Sequence, residues 1–506
     1  MTAAAVKARR WLVALLLALL PAAPGAAQDL RISHVTIASP ERVAGLPDAD
    51  VLIHDGRIVA ITAGAGPAAP GGAGPVTTLD GRGLFLTPGL IDSHVHLGTL
   101  PGMTGEQEAQ HPQLAQRAWE QMPRSFLLYG FTTLVDLIST PQELARWKSR
   151  GLTPDTYFCG GAALIDGYPM NFVPKPARYQ SLPYMLIEPQ SPVPAGIERA
   201  AHTPAAVVAR MRADGAICVK TFYERGFGAA HNLPVPQLAT IRELVSAAHA
   251  AGLPVLLHAN STEAQAFGLE AGVDILAHGL WNWDEASVGP GLSPAVKKVL
   301  DGVLTARVGW QPTLQVLYGE RDLFDAAFLS DPQLARVLPA ELLAWYRSPQ
   351  GQWFHDVLAQ ELPQAGKLDG PALQAQVFKD YAVPIERAAR ATAYLSWYGG
   401  RLLFGTDTPS APTYANPPGL NGWFEMQRLQ AAGLTPAQIW SAATLANARA
   451  LHLEREIGTV EVGKKANLLL LREDPTRTIQ AYASIVKIVL GGRVLDPAEL
   501  VATRTQ

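Results

Sequence analysis

Three features of the 506-residue chain predict an α/β fold, a (β/α)8 TIM-like barrel with a small β-sandwich domain built from both chain ends. Between residues 86 and 452, short apolar runs alternate with helix-forming stretches, the pattern of parallel strands buried on both faces. There are eight such runs, the number that closes a barrel. Residues 28–85 and 453–506 instead carry short strand patterns broken by turns. A hydrophobic content of 48% supplies a large core.

At the start of the chain Lys7, Arg9 and Arg10 precede an apolar run over residues 11–20 and small residues through Ala27. That layout is a secretory signal, too short for a permanent membrane anchor. Residues 1–27 are therefore expected to be cleaved and the protein to be periplasmic or secreted, with Arg9-Arg10 leaving twin-arginine export open. Asp55-Gly56 between alternating apolar runs predicts a hairpin. The Gly/Ala/Pro-rich residues 63–75 read as a loop. The barrel runs fall at residues 86–98, 131–137, 156–161, 216–223, 254–259, 274–279, 308–314 and 401–407. Insertions near 166–204 and 318–390 each follow a strand, on the side where barrel loops build active sites, and are candidate lids or substrate walls. Cys159 and Cys218 lie in apolar runs and read as two buried thiols, one disulfide being the most they could form.

A net charge of -3 gives no electrostatic basis for nucleic acid or an anionic membrane surface, so the expected partners are small molecules. His94 and His96 are two residues apart on a strand and share a face, an arrangement that suits a divalent metal. An isolated pair of this kind is more often solvated than ligating. Lys220, His258, His278 and Asp407, however, also end apolar runs, and together they mark one functional face. A bare ammonium at Lys220, after Ala216-Ile217-Cys218-Val219, would be costly to bury.

Thr87-Pro88-Gly89-Leu90-Ile91-Asp92-Ser93-His94-Val95-His96 closely resembles the opening signature of the metal-dependent amidohydrolase superfamily. Ala271-Gly272-Val273-Asp274-Ile275-Leu276-Ala277-His278-Gly279 and Gly405-Thr406-Asp407 resemble its later motifs. Within that superfamily the chain is most similar to the imidazolonepropionase-like and Xaa-Pro dipeptidase (prolidase)-like branch, over nearly all of its length after residue 27. The resemblance implies two divalent metal ions, zinc being the leading choice. His94 and His96 would hold the buried ion with Asp407, and His258 and His278 the exposed one. A carboxylated Lys220, formed with carbon dioxide, would bridge them. It further implies amide hydrolysis by a metal-bridging hydroxide, with Asp407 carrying the proton to the leaving amine.

The chain departs from the family pattern at His258-Ala259-Asn260, where a second histidine is common, and at Thr221-Phe222-Tyr223-Glu224-Arg225, where glycines are common. Tyr223 is therefore a candidate donor to a substrate carbonyl and Arg225 a candidate partner for a substrate carboxylate, against plainer roles in packing and solvation. His231, in a loop beyond the fourth strand, is a third candidate contact. His34, His54, His111, His202, His249, His355 and His452 read as surface or packing residues. The expected substrate is a dipeptide or N-acyl amino acid. The alternatives are a mononuclear deaminase or cyclic-amide hydrolase, against which Lys220 argues, and a non-catalytic binding protein on this scaffold. A homo-oligomer is compatible with the resemblance.

Overall fold

The first strands of the chain build a small sheet that the last strands complete. The computed structural model describes residues 29–64, 76–193, 195–227, 231–283, 291–362, 366–410 and 412–502. The expected signal segment 1–27 and most of the loop 63–75 lie outside the described residues. Strands β1 (Asp29–Ile37), β2 (Leu46–His54), β3 (Arg57–Ala63), β4 (Val76–Asp80) and β5 (Phe85–Pro88) come first. β2 and β3 form the hairpin expected at Asp55-Gly56, and Asp55 turns through a left-handed φ of 48°.

The barrel follows as β6 (Leu90–Val95), β7 (Phe131–Asp136), β8 (Asp155–Ala162), β9 (Cys218–Phe222), β10 (Val255–His258), β11 (Ile275–Ala277), β12 (Gly309–Gln311) and β13 (Arg401–Leu402). Each strand pairs in parallel with the next, in chain order. These are the eight runs expected from the sequence. β6, β7, β9 and β10 are buried along their whole length, so they read as continuous apolar runs without alternation. Helices cover the outside. The helix Leu238–Ala250 turns Ile241, Leu244, Val245 and Ala248 inward at the spacing of one helical face. Among the described residues no helix is long and apolar enough to cross a membrane.

Strands β14 (Leu468–Leu471), β15 (Ile485–Leu490) and β16 (Arg493–Leu495) then return to the small sheet. Its order is β16-β15-β14-β5-β1-β2-β3, with β4 also paired to β1. Both termini thus meet in one mixed sheet, with Ile32, Val35, Val51, Ile53, Leu468, Leu470 and Val489 in its core. Lys465 ties this sheet to the barrel through Asp155, 2.9 Å away.

Closure of the barrel joins β6 to the segment after β13. Asp407 N–H donates to the His94 carbonyl at 2.7 Å, and His96 N–H donates to the Thr408 carbonyl at 2.8 Å. Asn447 fastens the same seam from below. Its Nδ2 donates to the carbonyls of Ile91 and Phe404, and its Oδ1 accepts from Phe404 N–H and Ser93 Oγ.

The cysteines correct the expectation of two thiols: Cys159 and Cys218 form a disulfide. They lie directly opposite each other on the paired strands β8 and β9, with Cα atoms 4.4 Å apart, close enough to bridge without moving backbone. The two insertions follow the C-terminal ends of β8 and β12. In the second, Tyr346 donates to the Pro101 carbonyl and Trp353 to that of Gly102, in the loop that follows His96.

Replacing fully buried Asn447 by Ala strips partners from several groups at the seam, and a loss of about 2–4 kcal/mol is expected in chemical denaturation. A loss within error of zero would show that the seam closes without it. Thiol titration of the unfolded protein is expected to find no free thiol before reduction and both cysteines after it; two free thiols at the outset would rule the disulfide out.

Candidate metal centre and active site

His94 lies inside β6, and His96 follows the last residue of that strand, so both rings face the barrel mouth. Gly405 makes room for His94, since a Cβ at that position would come within 2.6 Å of His94 Cβ. The seam then delivers Asp407. One of its carboxylate oxygens, Oδ1, lies 2.9 Å from Nε2 of both His94 and His96. Ligand atoms of these three residues fall within 4.8 Å of one another, a grouping able to hold a metal ion.

The remaining expected residues extend this cluster. His278 packs against His94 with ring centroids 4.9 Å apart, and His258 packs against His278 at 4.4 Å. His278 Nδ1 is 4.0 Å from Asp407 Oδ2 and 3.0 Å from the Thr313 hydroxyl. Lys220 on β9 is 1% exposed, and among the described residues its Nζ has no hydrogen-bond partner. Both ring nitrogens of fully buried His94 also lack one, although Asp407 stands close to Nε2 without hydrogen-bond geometry. Orphaned buried donors are rare in folded proteins. Here they converge on one place and are of the types that bind metals, so the residues present fit a metal centre.

Electrostatics prepare the same chemistry. Burial, reinforced by Lys220, pushes His94 down to about 3, so its imidazole is neutral and able to ligate at pH 7. Burial and neighbouring His258 hold His278 well below its usual value, and burial likewise lowers His258. Burial opposes ionisation of Asp407, but the surrounding histidines, His94 foremost, more than offset it and hold the carboxyl well below the carboxylate range. Burial lowers Lys220 to about 7, so an uncharged amine is available at neutral pH.

Several positioning residues were not legible as such. Glu224 accepts from Asn260 Nδ2 at 2.8 Å and sits 3.2 Å from His258 Nε2, so two residues that depart from the family pattern orient an expected ligand. Tyr168, in the first insertion, packs against His258 with tilted rings, their centroids 4.8 Å apart. Asp92 accepts from the Thr406 N–H and hydroxyl at 3.0 and 2.6 Å, and its burial raises it to about 7. Asp136 accepts from the N–H of Leu97, fixing the backbone beside His96. Asp92 stood inside a recognisable motif and Glu224 and Asn260 inside departures from one; Tyr168 and Asp136 carried no sequence signal of this role.

His278, Thr313 and Asp407 hold positive φ angles of 84°, 45° and 59°. Each is a conformation that costs a non-glycine residue about 1–3 kcal/mol and that clusters at functional sites. The three suggested substrate contacts do not join the cluster. Tyr223 donates to Glu263 at 2.7 Å, and Arg225 pairs with the same carboxylate at 2.8 Å. His231 is exposed in its loop.

The amidohydrolase family model matches residues 85–278 and 350–495, a span that includes His94, His96, Lys220, His258, His278 and Asp407. A segment of 77 residues is 39% identical to imidazolonepropionase of Polaromonas sp., covering 15% of this chain and 18% of that protein. The chain thus spans under a fifth of that curated relative. Among solved structures, a Xaa-Pro dipeptidase with bound methionine in its active site aligns at 18% identity with a TM-score of 0.62, over 93% of this chain and 100% of that one. Molinate hydrolase aligns at 17% identity with the same TM-score, over 95% and 97% of the two chains. At these identities the likeness is one of fold. With the family model matched over more than half of its residues, this chain belongs to the amidohydrolase family, hydrolases of carbon–nitrogen bonds.

Proposed function

We propose that the protein is an exported binuclear metal hydrolase that cleaves the amide bond of a dipeptide or N-acyl amino acid. The observation that carries this reading is the Nζ of Lys220, buried near His94, His258, His278 and Asp407 and, among the described residues, without a hydrogen-bond partner. Carboxylation by carbon dioxide would turn that amine into an anionic oxygen ligand and remove the cost of burying it unpaired. His94, His96 and Asp407 would hold one ion, His258 and His278 the other, and the modified Lys220 both. Zinc suits this donor set, as do manganese, cobalt and iron. Bound ions would polarise the scissile carbonyl and lower the pKa of an attacking water.

The chain's own residues supply the rest. Asp407 is ionised and faces the barrel mouth, so it can take a proton from the attacking water and pass it to the leaving nitrogen. Its backbone is held by the seam, which keeps the carboxylate in register with both histidines. The Tyr168 ring packs against His258, and Tyr346 of the second insertion anchors that insertion to the loop after His96. The likeness in fold to a Xaa-Pro dipeptidase supports a peptide-like substrate. The Cys159 to Cys218 disulfide accords with export to an oxidising compartment.

Asp407→Asn is expected to leave metal content unchanged while lowering kcat for a cleaved dipeptide or N-acyl amino acid by about 10²–10⁴-fold, as for loss of a general acid–base group. The checks are elemental analysis and steady-state kinetics on the same preparation. Near-normal turnover would remove Asp407 from the proton path, and an absence of cleavage by wild type across such a panel would overturn the substrate class.

A further inference from the structure

The end of the barrel remote from the histidines holds a second concavity. A cavity of about 450 Å³ is lined there by Arg307, Arg401 and Arg449, together with Ser396, Gln438 and Ser441. Arg307 caps the helix Pro294–Ala306 just ahead of β12, Arg401 opens β13, and Arg449 lies on the helix Asn447–Ala450. These are the N-terminal ends of the strands, whereas Asp407 follows the C-terminal end of β13.

Arg401 donates to the Arg307 carbonyl at 3.1 Å, which keeps the two neighbours together. Among the described residues no carboxylate lines the cavity, and none forms an ion pair with Arg307, Arg401 or Arg449. Gln438 donates to Ser396 Oγ at 3.0 Å, so part of the polar wall is also held in place. Gathering three cations around one concavity of a chain whose net charge is -3 creates a local positive potential that favours an anionic ligand.

We propose that this cavity binds a small molecule bearing a phosphate group. Guanidinium forks match the oxygens of a phosphate bidentately, and the Ser396 and Ser441 hydroxyls add donors of the kind that contact the remaining oxygens. A phosphate dianion balances three cations better than a single carboxylate does. The site is independent of the metal centre and of the reaction proposed there.

Calorimetric titration of the full-length protein with inorganic phosphate, and separately with succinate, tests this assignment. Saturable phosphate binding is expected, weakened at least about tenfold in Arg307→Ala and in Arg449→Ala, with succinate the weaker of the two ligands. Both side chains are exposed, so amide hydrolysis without phosphate is expected to be unchanged in the variants, which reports an intact fold. Phosphate affinity equal in wild type and both variants would place the binding elsewhere and overturn the proposal. So would an absence of saturable binding, or succinate binding as tightly as phosphate.

Discussion

The hydrogen-bonded seam between β6 and the segment after β13 is the constraint on which the site depends. Over 300 residues separate His94 from Asp407 in the chain, yet the Asp407 N–H donates to the His94 carbonyl itself. Because the backbone contact is direct, the carboxylate reaches both histidines without a flexible intermediary. Closing an eight-stranded barrel therefore builds the three-residue grouping as a consequence of its topology. Asn447 and Asp92 reinforce that closure from beneath, each satisfying polar groups on both sides of the seam. A register slip of one residue there would turn His94 and His96 away from the mouth.

A cost accompanies this arrangement. Four imidazoles, a carboxylate and an amine are gathered where burial lowers His94, His258 and His278 and brings Lys220 down to about 7. Polar groups so placed destabilise a fold unless something satisfies them. The left-handed backbone at His278, Thr313 and Asp407 adds strain at the same place. Both penalties fall where unsatisfied donors point at a common volume. Ligand-free stability has been given up locally for a constellation that metal ions would complete.

Much of this was legible in the sequence, for physical reasons. Strands buried on both faces leave continuous apolar runs, so all eight barrel strands could be placed, and the polar residue ending each of several runs stood out against that background. Spacing alone put His94 and His96 on one face. Less was legible where a residue acts through distant partners. Glu224 and Asn260 looked like departures from a pattern, whereas in the fold they flank His258. Tyr223 and Arg225 looked open to substrate because nothing local revealed Glu263, some 40 residues on, as their partner. Cys159 and Cys218 looked like separate core thiols because their pairing depends on the register of two strands.

In the proposed binuclear centre Lys220 joins the histidines and Asp407, and metal content per chain separates that arrangement from a mononuclear site. Elemental analysis of wild type and Lys220→Ala, purified in parallel with bicarbonate present, is expected to find about two metal ions per chain in the first and a sharp fall in the second. A ratio of about one ion per chain in both proteins would contradict it, leaving Lys220 a buried amine outside a mononuclear site.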